Sequence, residues 1–369
     1  MSFVGEHFDF GAEALMNIAY RATCGDPAEH RFGHLGGRPS RQDLDGLSSQ
    51  DIWTAAHEQD LDFFSNLVLA PSQMPTLAIR VWKRKDGGGR RPIDEPSCQS
   101  LLVSLGIKNL IEDALDTKLY QGQVSARARG GRPVFCGRSS ATDVDHAAAR
   151  ARDLIFGGKR WVVILDLEDA FGNVPLHLVN RGLRGIGLNH RARRRVLSLV
   201  KVNAVDRRTR RRYRPRHVAG VGPVGLSQGN PLSPMLFNVA LAPLLHHLEA
   251  MGIPSTAYLD DILLFASSRC EAEGAFREFE GHAQRVGLQG VRPSGGGAKA
   301  SRIVDAFAEP VPVLRTYLVS KRGVRLTTDK ARSATELLKG RVTSHNHARR
   351  LLGYQALSRR ALVEVLRAS

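Results

Sequence analysis

Two short apolar stretches that carry aspartate constrain the fold most strongly. The first, "WVVIL" (161–165), is a β-branched run of the kind that lies buried inside a sheet, and Asp166 follows it directly. The second, "YLDDILLF" (258–265), holds two adjacent aspartates inside another strand-like run. An ionised carboxylate in apolar surroundings is costly unless a positive charge pairs with it. The second stretch therefore predicts either a β-turn, in which Asp is favoured, or a site for divalent cations.

The excess of positive charge indicates a polyanionic partner. There are 53 Lys and Arg residues against 36 Asp and Glu residues, which gives a net charge of +17. This charge favours nucleic acid, with an anionic membrane surface as the rival interpretation. No apolar run is long enough to cross a membrane and the start has no signal-peptide pattern, so we expect a cytoplasmic protein. The four cysteines are far apart, which argues against a zinc ribbon or a disulfide scaffold.

The sequence periodicity predicts a mixture of helices and strands without internal repeats. Residues 1–75 are expected to form a mainly helical extension. Residues 76–96 alternate apolar and polar side chains around "DGGG", which is typical of a β-hairpin with a basic tip. Helices are expected around 99–119 and 140–156. Seven of the eleven residues in "DRRTRRRYRPR" (206–216) are arginine, which predicts an exposed loop or hairpin tip that contacts phosphates.

A glycine-containing turn followed by a helix is predicted for "GLSQGNPLSPMLFNVALAPLLHHL" (225–248). Ser233 is expected to cap the helix, with Pro234 at its first position. Apolar side chains then recur every three or four residues, which predicts one face packed on a core and a kink at Pro243. The glycine-containing entry is expected to stay open to a ligand.

The order of these segments carries a family resemblance. Two-metal phosphoryl transfer needs carboxylates from separate segments to hold two ions. "LDLEDAF", "GLSQGNPLSPMLFN" and "YLDDILLF" resemble, in this order, motifs A, B and C of reverse transcriptases. The resemblance extends upstream to "KRKDGGGRRPIDEPS" (83–97) and "VFCGRSSATDVDHA" (134–147). It extends downstream to "GGGAKASRI" and to "LRTYLVSKRGVRLTTDK" (314–330), which resembles the primer-grip hairpin.

The resemblance implies an α+β fold shaped as a right-hand polymerase. Its fingers and its palm, an antiparallel sheet with helices, would occupy 76–320, and a short, basic, helical thumb would occupy 321–369. Because only a short segment follows the primer-grip hairpin, we expect no RNase H, integrase, endonuclease or maturase extension. We therefore expect a compact bacterial enzyme related to retron, group II intron or antiviral defence reverse transcriptases, without a decision among these three.

The resemblance also implies a metal site. Asp166, Asp260 and Asp261 would form the metal-binding carboxylate cluster, with the Leu167 carbonyl as an additional ligand. Two Mg²⁺ ions are the expected cofactors, with Mn²⁺ as an alternative. Lys299 resembles the motif D lysine, which would donate a proton to pyrophosphate or neutralise its charge.

The nucleotide would be bound by residues of three further segments. Arginine and lysine of the fingers hairpin would clasp the triphosphate, an aromatic ring would exclude a ribose 2′-hydroxyl, and the motif B residues would lie near the template and nucleotide. The corresponding residues are Arg84, Lys85 and Arg91 for the clasp, Phe171 for the steric gate, and Gln228, Gly229 and Asn238 for motif B.

The implied partners are an RNA template, a DNA or RNA primer and dNTPs, with a dedicated non-coding RNA as a further candidate. The oligomeric state is not predicted. Two alternatives stay open at this point. Untemplated or protein-primed DNA synthesis would use the same active site, whereas a non-catalytic nucleic-acid-binding scaffold would have no need for three clustered carboxylates.

Overall fold

The computed structural model shows a protein that mixes helices with mostly antiparallel strands. It describes residues 13, 16–17, 49–69, 78–84, 89–119, 122–123, 144–165, 167–288, 301–313, 317–320 and 323–326. The α+β class predicted from the sequence is confirmed for these residues. None of the helices described there is both long and apolar enough to cross a membrane. The predicted thumb lies outside the described residues, apart from one strand.

The elements are numbered in chain order. The helices are α1 (Ser49–His57), α2 (Leu61–Leu69), α3 (Cys98–Asp116), α4 (Val144–Phe156), α5 (Leu176–Gly185), α6 (His190–Val200), α7 (Ser233–Ala250) and α8 (Arg269–Arg285). The strands are β1 (Ala78–Arg84), β2 (Arg90–Pro96), β3 (Trp161–Leu165), β4 (Ala204–Asp206), β5 (Arg212–Tyr213), β6 (Arg216–Val218), β7 (Gly222–Val224), β8 (Ser255–Tyr258), β9 (Asp261–Ala266), β10 (Arg302–Asp305), β11 (Val311–Val313), β12 (Tyr317–Ser320) and β13 (Gly323–Leu326).

The chain divides into two compact units. The first contains Met1–Leu115 and Phe171–Ala240, and the second contains Asp116–Ala170 and Leu241–Ser369. In the first unit, β1 and β2 form the antiparallel hairpin expected from the alternating sequence. This hairpin belongs to a four-stranded sheet of order β2-β1-β4-β5, in which β4 runs parallel to β1. The arginine-rich segment forms the β4–β5 hairpin of this sheet.

The second unit contains an antiparallel sheet of order β10-β3-β9-β8. Val162 and Val163 of β3 are fully buried, as the continuous apolar run predicted. Helix α8 packs on β3 and β9, while α4 contacts β8 and β12. Side chains of α4, β3, β9 and β10 share one core with β11 and β12, and its members include Ile155, Val304 and Val311. Strands β12 and β13 pair antiparallel, as the predicted primer-grip hairpin requires.

Helix α7 differs in two ways from its prediction. Ser233 is already helical and its enclosed Oγ has no hydrogen-bond partner among the described residues. Asn230 instead forms a turn just before the helix, because its Oδ1 accepts from the Leu232 N–H at 2.9 Å and its carbonyl accepts from the Ser233 N–H at 3.1 Å. The helix is also buried on most sides instead of one, since it is apolar nearly all round and only Pro243, His246 and Ala250 are exposed.

Candidate active site

The adjacent aspartates lie at the tip of a tight hairpin in the second unit. Tyr258 of β8 pairs with Asp261 of β9, so Leu259 and Asp260 form a two-residue loop. Leu259 has φ +55°, a left-handed conformation that costs a residue with a Cβ about 1–2 kcal/mol. Its side chain is only 2% exposed, so burial of the leucine offsets this strain. Asp260 and Asp261 are both half-buried and follow directly after it.

The end of strand β3 lies beside this hairpin. Leu165, the last residue of β3, pairs with Ile262, the second residue of β9. Asp166 follows Leu165 in the sequence but lies outside the described residues, as do Lys85 and Lys299. Leu167 is described and is 4% exposed. The sheet therefore brings the end of β3 next to Asp261 at the start of β9.

The donor chemistry of Asp260 and Asp261 fits Mg²⁺. Magnesium takes oxygen ligands, is usually bound by one or two carboxylates, and keeps several of its waters. Both residues are carboxylates and both are partly exposed, which leaves room for those waters. Two adjacent carboxylates could therefore hold Mg²⁺ without any nitrogen or sulfur ligand.

The glycine-containing loop of the first unit is held from three directions. The Leu226 N–H donates to the Phe171 carbonyl at 2.8 Å, and the Ser227 N–H donates to the Val200 carbonyl at 2.7 Å. The Gln228 carbonyl accepts from the Asp94 N–H of β2 at 2.6 Å. These bonds fix the backbone of the loop against Phe171, the end of α6 and strand β2.

Gly229 is required in this loop for a steric reason. Its φ is +142°, and a Cβ at this position would lie 2.2 Å from the Asp94 carbonyl oxygen. Real Cβ contacts are not this short, and the obstacle is backbone that cannot rotate away. The Gln228–Gly229 pair therefore lies directly against strand β2.

A buried ion pair under this loop was missed by the sequence interpretation. Arg80 donates through Nε and Nη2 to the two carboxylate oxygens of Asp94, at 2.6 and 2.9 Å. Asp94 is 1% exposed, and its Oδ2 also accepts from the Ser227 hydroxyl at 3.4 Å. The hairpin register sets Arg80 opposite Asp94, so opposite charges at facing positions were the signal that could have identified the pair.

The predicted steric gate, Phe171, packs on another aromatic ring. It lies in a short 3₁₀ turn (Phe171–Asn173) and is half-buried. The centroid of its ring lies 5.1 Å from that of Phe237 on α7, with the planes tilted by 34°. Asn238, the next residue of α7, is 1% exposed. The stacking restricts how far the Phe171 ring can swing.

The predicted triphosphate clasp lies near the tip of the β1–β2 hairpin. Arg84 and Arg91 are both exposed. The register pairs Arg91 with Lys83, and Arg84 with Arg90. The side chains of facing residues lie on the same face of the sheet. Lys83 and Arg91 therefore share one face, whereas Arg84 lies on the opposite face.

The arginine-rich β4–β5 hairpin is anchored by Asp206. One oxygen of Asp206 accepts from the backbone N–H groups of Arg208 and Thr209, at 2.9 and 2.7 Å, and the other accepts from Trp82 Nε1 at 2.7 Å. The Thr209 and Trp82 hydrogen bonds lower the pKa of Asp206 to about 2. The arginines at 207–212 are exposed around this anchor, and Tyr213 contacts Trp82 edge to face. The result is a basic surface with aromatic side chains at its base.

One comparison with known proteins identifies a family for the chain. The family model described as reverse transcriptase (RNA-dependent DNA polymerase) matches residues 85–290, more than half of the chain. A crystal structure of an insertion loop deletion mutant of the RNA-dependent RNA polymerase of a human picorbirnavirus is similar at 12% identity and a TM-score of 0.44. That similarity covers 68% of this chain and only 45% of the viral polymerase. No curated protein matches the sequence.

Proposed function

The chain belongs to the reverse transcriptase family, and from this premise we propose that it is an RNA-directed DNA polymerase of a compact bacterial type. The observation that carries the proposal is the family match over 85–290, a range that contains the Asp260–Asp261 hairpin, the glycine-containing loop and Phe171. The proposed reaction is attack of a primer 3′-hydroxyl on the α-phosphate of a dNTP, templated by RNA, with release of pyrophosphate. The bacterial subtype rests on the sequence resemblance alone.

The proposed metal ligands are Asp166, Asp260, Asp261 and the carbonyl of Leu167. Two Mg²⁺ ions bound there would activate the attacking hydroxyl and neutralise the leaving pyrophosphate. Support comes from the β8–β9 hairpin, whose tip carries two of the carboxylates beside the end of β3. Lys299 is proposed to protonate the pyrophosphate or to neutralise its charge.

The proposed nucleotide contacts belong to the first unit. Arg91 clasps the triphosphate, because a guanidinium can bond two phosphate oxygens at once. Lys85 is proposed as its partner in place of Arg84, since Arg84 lies on the opposite face of the ladder. Phe171 excludes a ribose 2′-hydroxyl, and its stacking on Phe237 supports this role because a gate must keep its position. Further contacts to the nucleotide or template are proposed for Gln228, Gly229 and Asn238.

The proposed partners are an RNA template and a DNA or RNA primer. The net charge of +17 and the exposed arginines of the β4–β5 hairpin support binding of a polyanion. Fingers and palm are proposed over 76–320 and a thumb over 321–369. From the same resemblance we propose a dedicated non-coding RNA as a further partner and a cytoplasmic role in antiviral defence.

The test is dNTP incorporation with Mg²⁺ on a primed RNA template and in its absence. Wild type is compared with the Asp260→Asn/Asp261→Asn double variant and with Asp153→Asn, which removes an exposed carboxylate of α4. We expect template-complementary DNA from wild type and Asp153→Asn, and none from the double variant. Product of unrelated sequence without template would replace the proposal with untemplated synthesis, and no product from wild type would favour a non-catalytic scaffold.

A further inference from the structure

Two histidines and a glutamate meet on the second unit, outside the segments that resemble motifs A, B and C. His247 lies in the last turn of α7, and Glu278 and His282 lie four residues apart on α8. Residues at this spacing share one face of a helix, so the two α8 side chains point toward the same place. One donor atom from each of the three residues lies within 4.8 Å of the others. This His247–Glu278–His282 cluster has a spacing that a single ion could bridge.

The cluster is compact and partly shielded from water. His247 Nε2 lies 3.0 Å from Oε1 of Glu278, and the ring centroids of His247 and His282 are 4.3 Å apart. All three residues are half-buried. Nδ1 of His282 is enclosed and has no hydrogen-bond partner among the described residues. A buried imidazole nitrogen without a partner is costly, and a bound cation nearby would compensate for it.

The surroundings of His282 favour the form of the ring that a metal needs. Burial, followed by the nearby His247 and Arg285, lowers the pKa of His282. This direction favours the neutral ring, and a metal ligand must carry a free lone pair.

The donor set selects the class of ion. Two imidazole nitrogens and one carboxylate oxygen are typical ligands of Zn²⁺, and three protein ligands leave a fourth position for water. Mg²⁺ prefers oxygen ligands in an octahedral arrangement, so this cluster does not suit the ion proposed for polymerisation. We propose that His247, Glu278 and His282 bind a Zn²⁺ ion that ties the end of α7 to α8.

Arg285 belongs to the surroundings of this site. Its Nη2 donates to Oε1 of Glu278 at 3.0 Å. A carboxylate has two oxygens and about four acceptor positions, so Glu278 can keep the arginine while it binds a metal. Partners of this kind orient a ligand and affect metal affinity. The alternative arrangement is a metal-free His–Glu–Arg hydrogen-bond network.

The experiment measures metal binding by the full chain, prepared without a polyhistidine tag and stripped with a chelator. Zn²⁺ is titrated by calorimetry, and Co²⁺ is added separately because its visible absorption reports a tetrahedral nitrogen and oxygen site. We expect one Zn²⁺ per chain and a Co²⁺ spectrum from wild type. His282→Gln and Glu278→Gln should each bind Zn²⁺ at least about tenfold more weakly.

The matched control is His246→Gln, which removes the exposed histidine next to the cluster and should bind like wild type. Circular dichroism of the metal-free variants identifies any variant that fails to fold, and the wild-type Co²⁺ spectrum tests the site without a substitution. The proposal is overturned if stripped wild type binds no Zn²⁺, or if His282→Gln and Glu278→Gln bind it as tightly as wild type. Polymerase activity is not part of this test, so its outcome is independent of the proposed function.

Discussion

The replacement Gly229→Ala tests how the glycine-containing loop is fitted to the β1–β2 hairpin. A residue with a Cβ in a backbone conformation of this kind costs about 1–3 kcal/mol. The new Cβ would also lie 2.2 Å from the Asp94 carbonyl oxygen, so the loop must move away from β2. That movement breaks the 2.6 Å hydrogen bond from the Asp94 N–H to Gln228, which is worth about 0.5–1.5 kcal/mol. We expect a total loss of about 2–4 kcal/mol in the free energy of unfolding.

A second glycine of the same unit provides the control. Gly220 also has a positive φ, +72°, but nothing lies within 4 Å of a Cβ built on it. Gly220→Ala should therefore cost only the conformational strain, about 1–2 kcal/mol. Urea denaturation of the two variants and wild type measures both effects under identical conditions. Initial rates of dNTP incorporation show whether the displaced loop also lowers activity, as we expect from the proposed role of Gln228.

The outcome that would refute this reasoning is specific. If Gly229→Ala loses no more stability than Gly220→Ala and incorporates dNTPs at the wild-type rate, the close approach to β2 does not constrain the loop. If Gly229→Ala instead loses activity but is as stable as Gly220→Ala, the loop is displaced and the close approach to Asp94 adds nothing to the loss of stability.

Three further predictions concern the Arg80–Asp94 ion pair, the predicted steric gate Phe171, and Asp206, which anchors the β4–β5 hairpin. Arg80→Ala leaves the Asp94 carboxylate buried without its partner and should cost about 3–5 kcal/mol of stability in urea denaturation. Phe171→Val should raise the rate of rNTP incorporation relative to dNTP incorporation, measured as the ratio of the two kcat/KM values, because the smaller side chain leaves space for a 2′-hydroxyl. Asp206→Asn should lower Tm at neutral pH. Since the folded pKa of Asp206 is about 2, below its ordinary value near 3.8, the Tm difference should persist above pH 4 and shrink as the pH falls toward 2.

Each of these predictions has a control and a contrary result. The double variant Arg80→Met/Asp94→Leu should be more stable than Arg80→Ala, since no charge is left buried, and equal losses would contradict the ion-pair argument. An unchanged nucleotide ratio in Phe171→Val, with DNA synthesis retained, would remove Phe171 as the gate. A Tm difference for Asp206→Asn that stays constant from pH 7 to pH 2 would show that the Asp206 charge does not stabilise the β4–β5 hairpin.

Much of the local structure followed from the sequence, because periodicity and composition report it directly. The alternating residues 76–96 and the apolar run 161–165 became β1–β2 and β3. The arginine-rich segment became an exposed hairpin, and the order of the three motifs identified the family that the comparison supports. Each of these features depends on neighbouring residues or on their order along the chain.

Features that depend on residues far apart in the chain were decided by the tertiary structure. The bond from Ser227 to Asp94 spans 133 residues, and the pair Arg80–Asp94 depends on the register of the β1–β2 hairpin. Gly229 looked like a flexible turn residue, but its necessity comes from the backbone of β2. His247 and His282 are unremarkable in the sequence and meet only because α7 and α8 come together. Sequence patterns report which face of an element is apolar, whereas only packing decides which polar groups become partners.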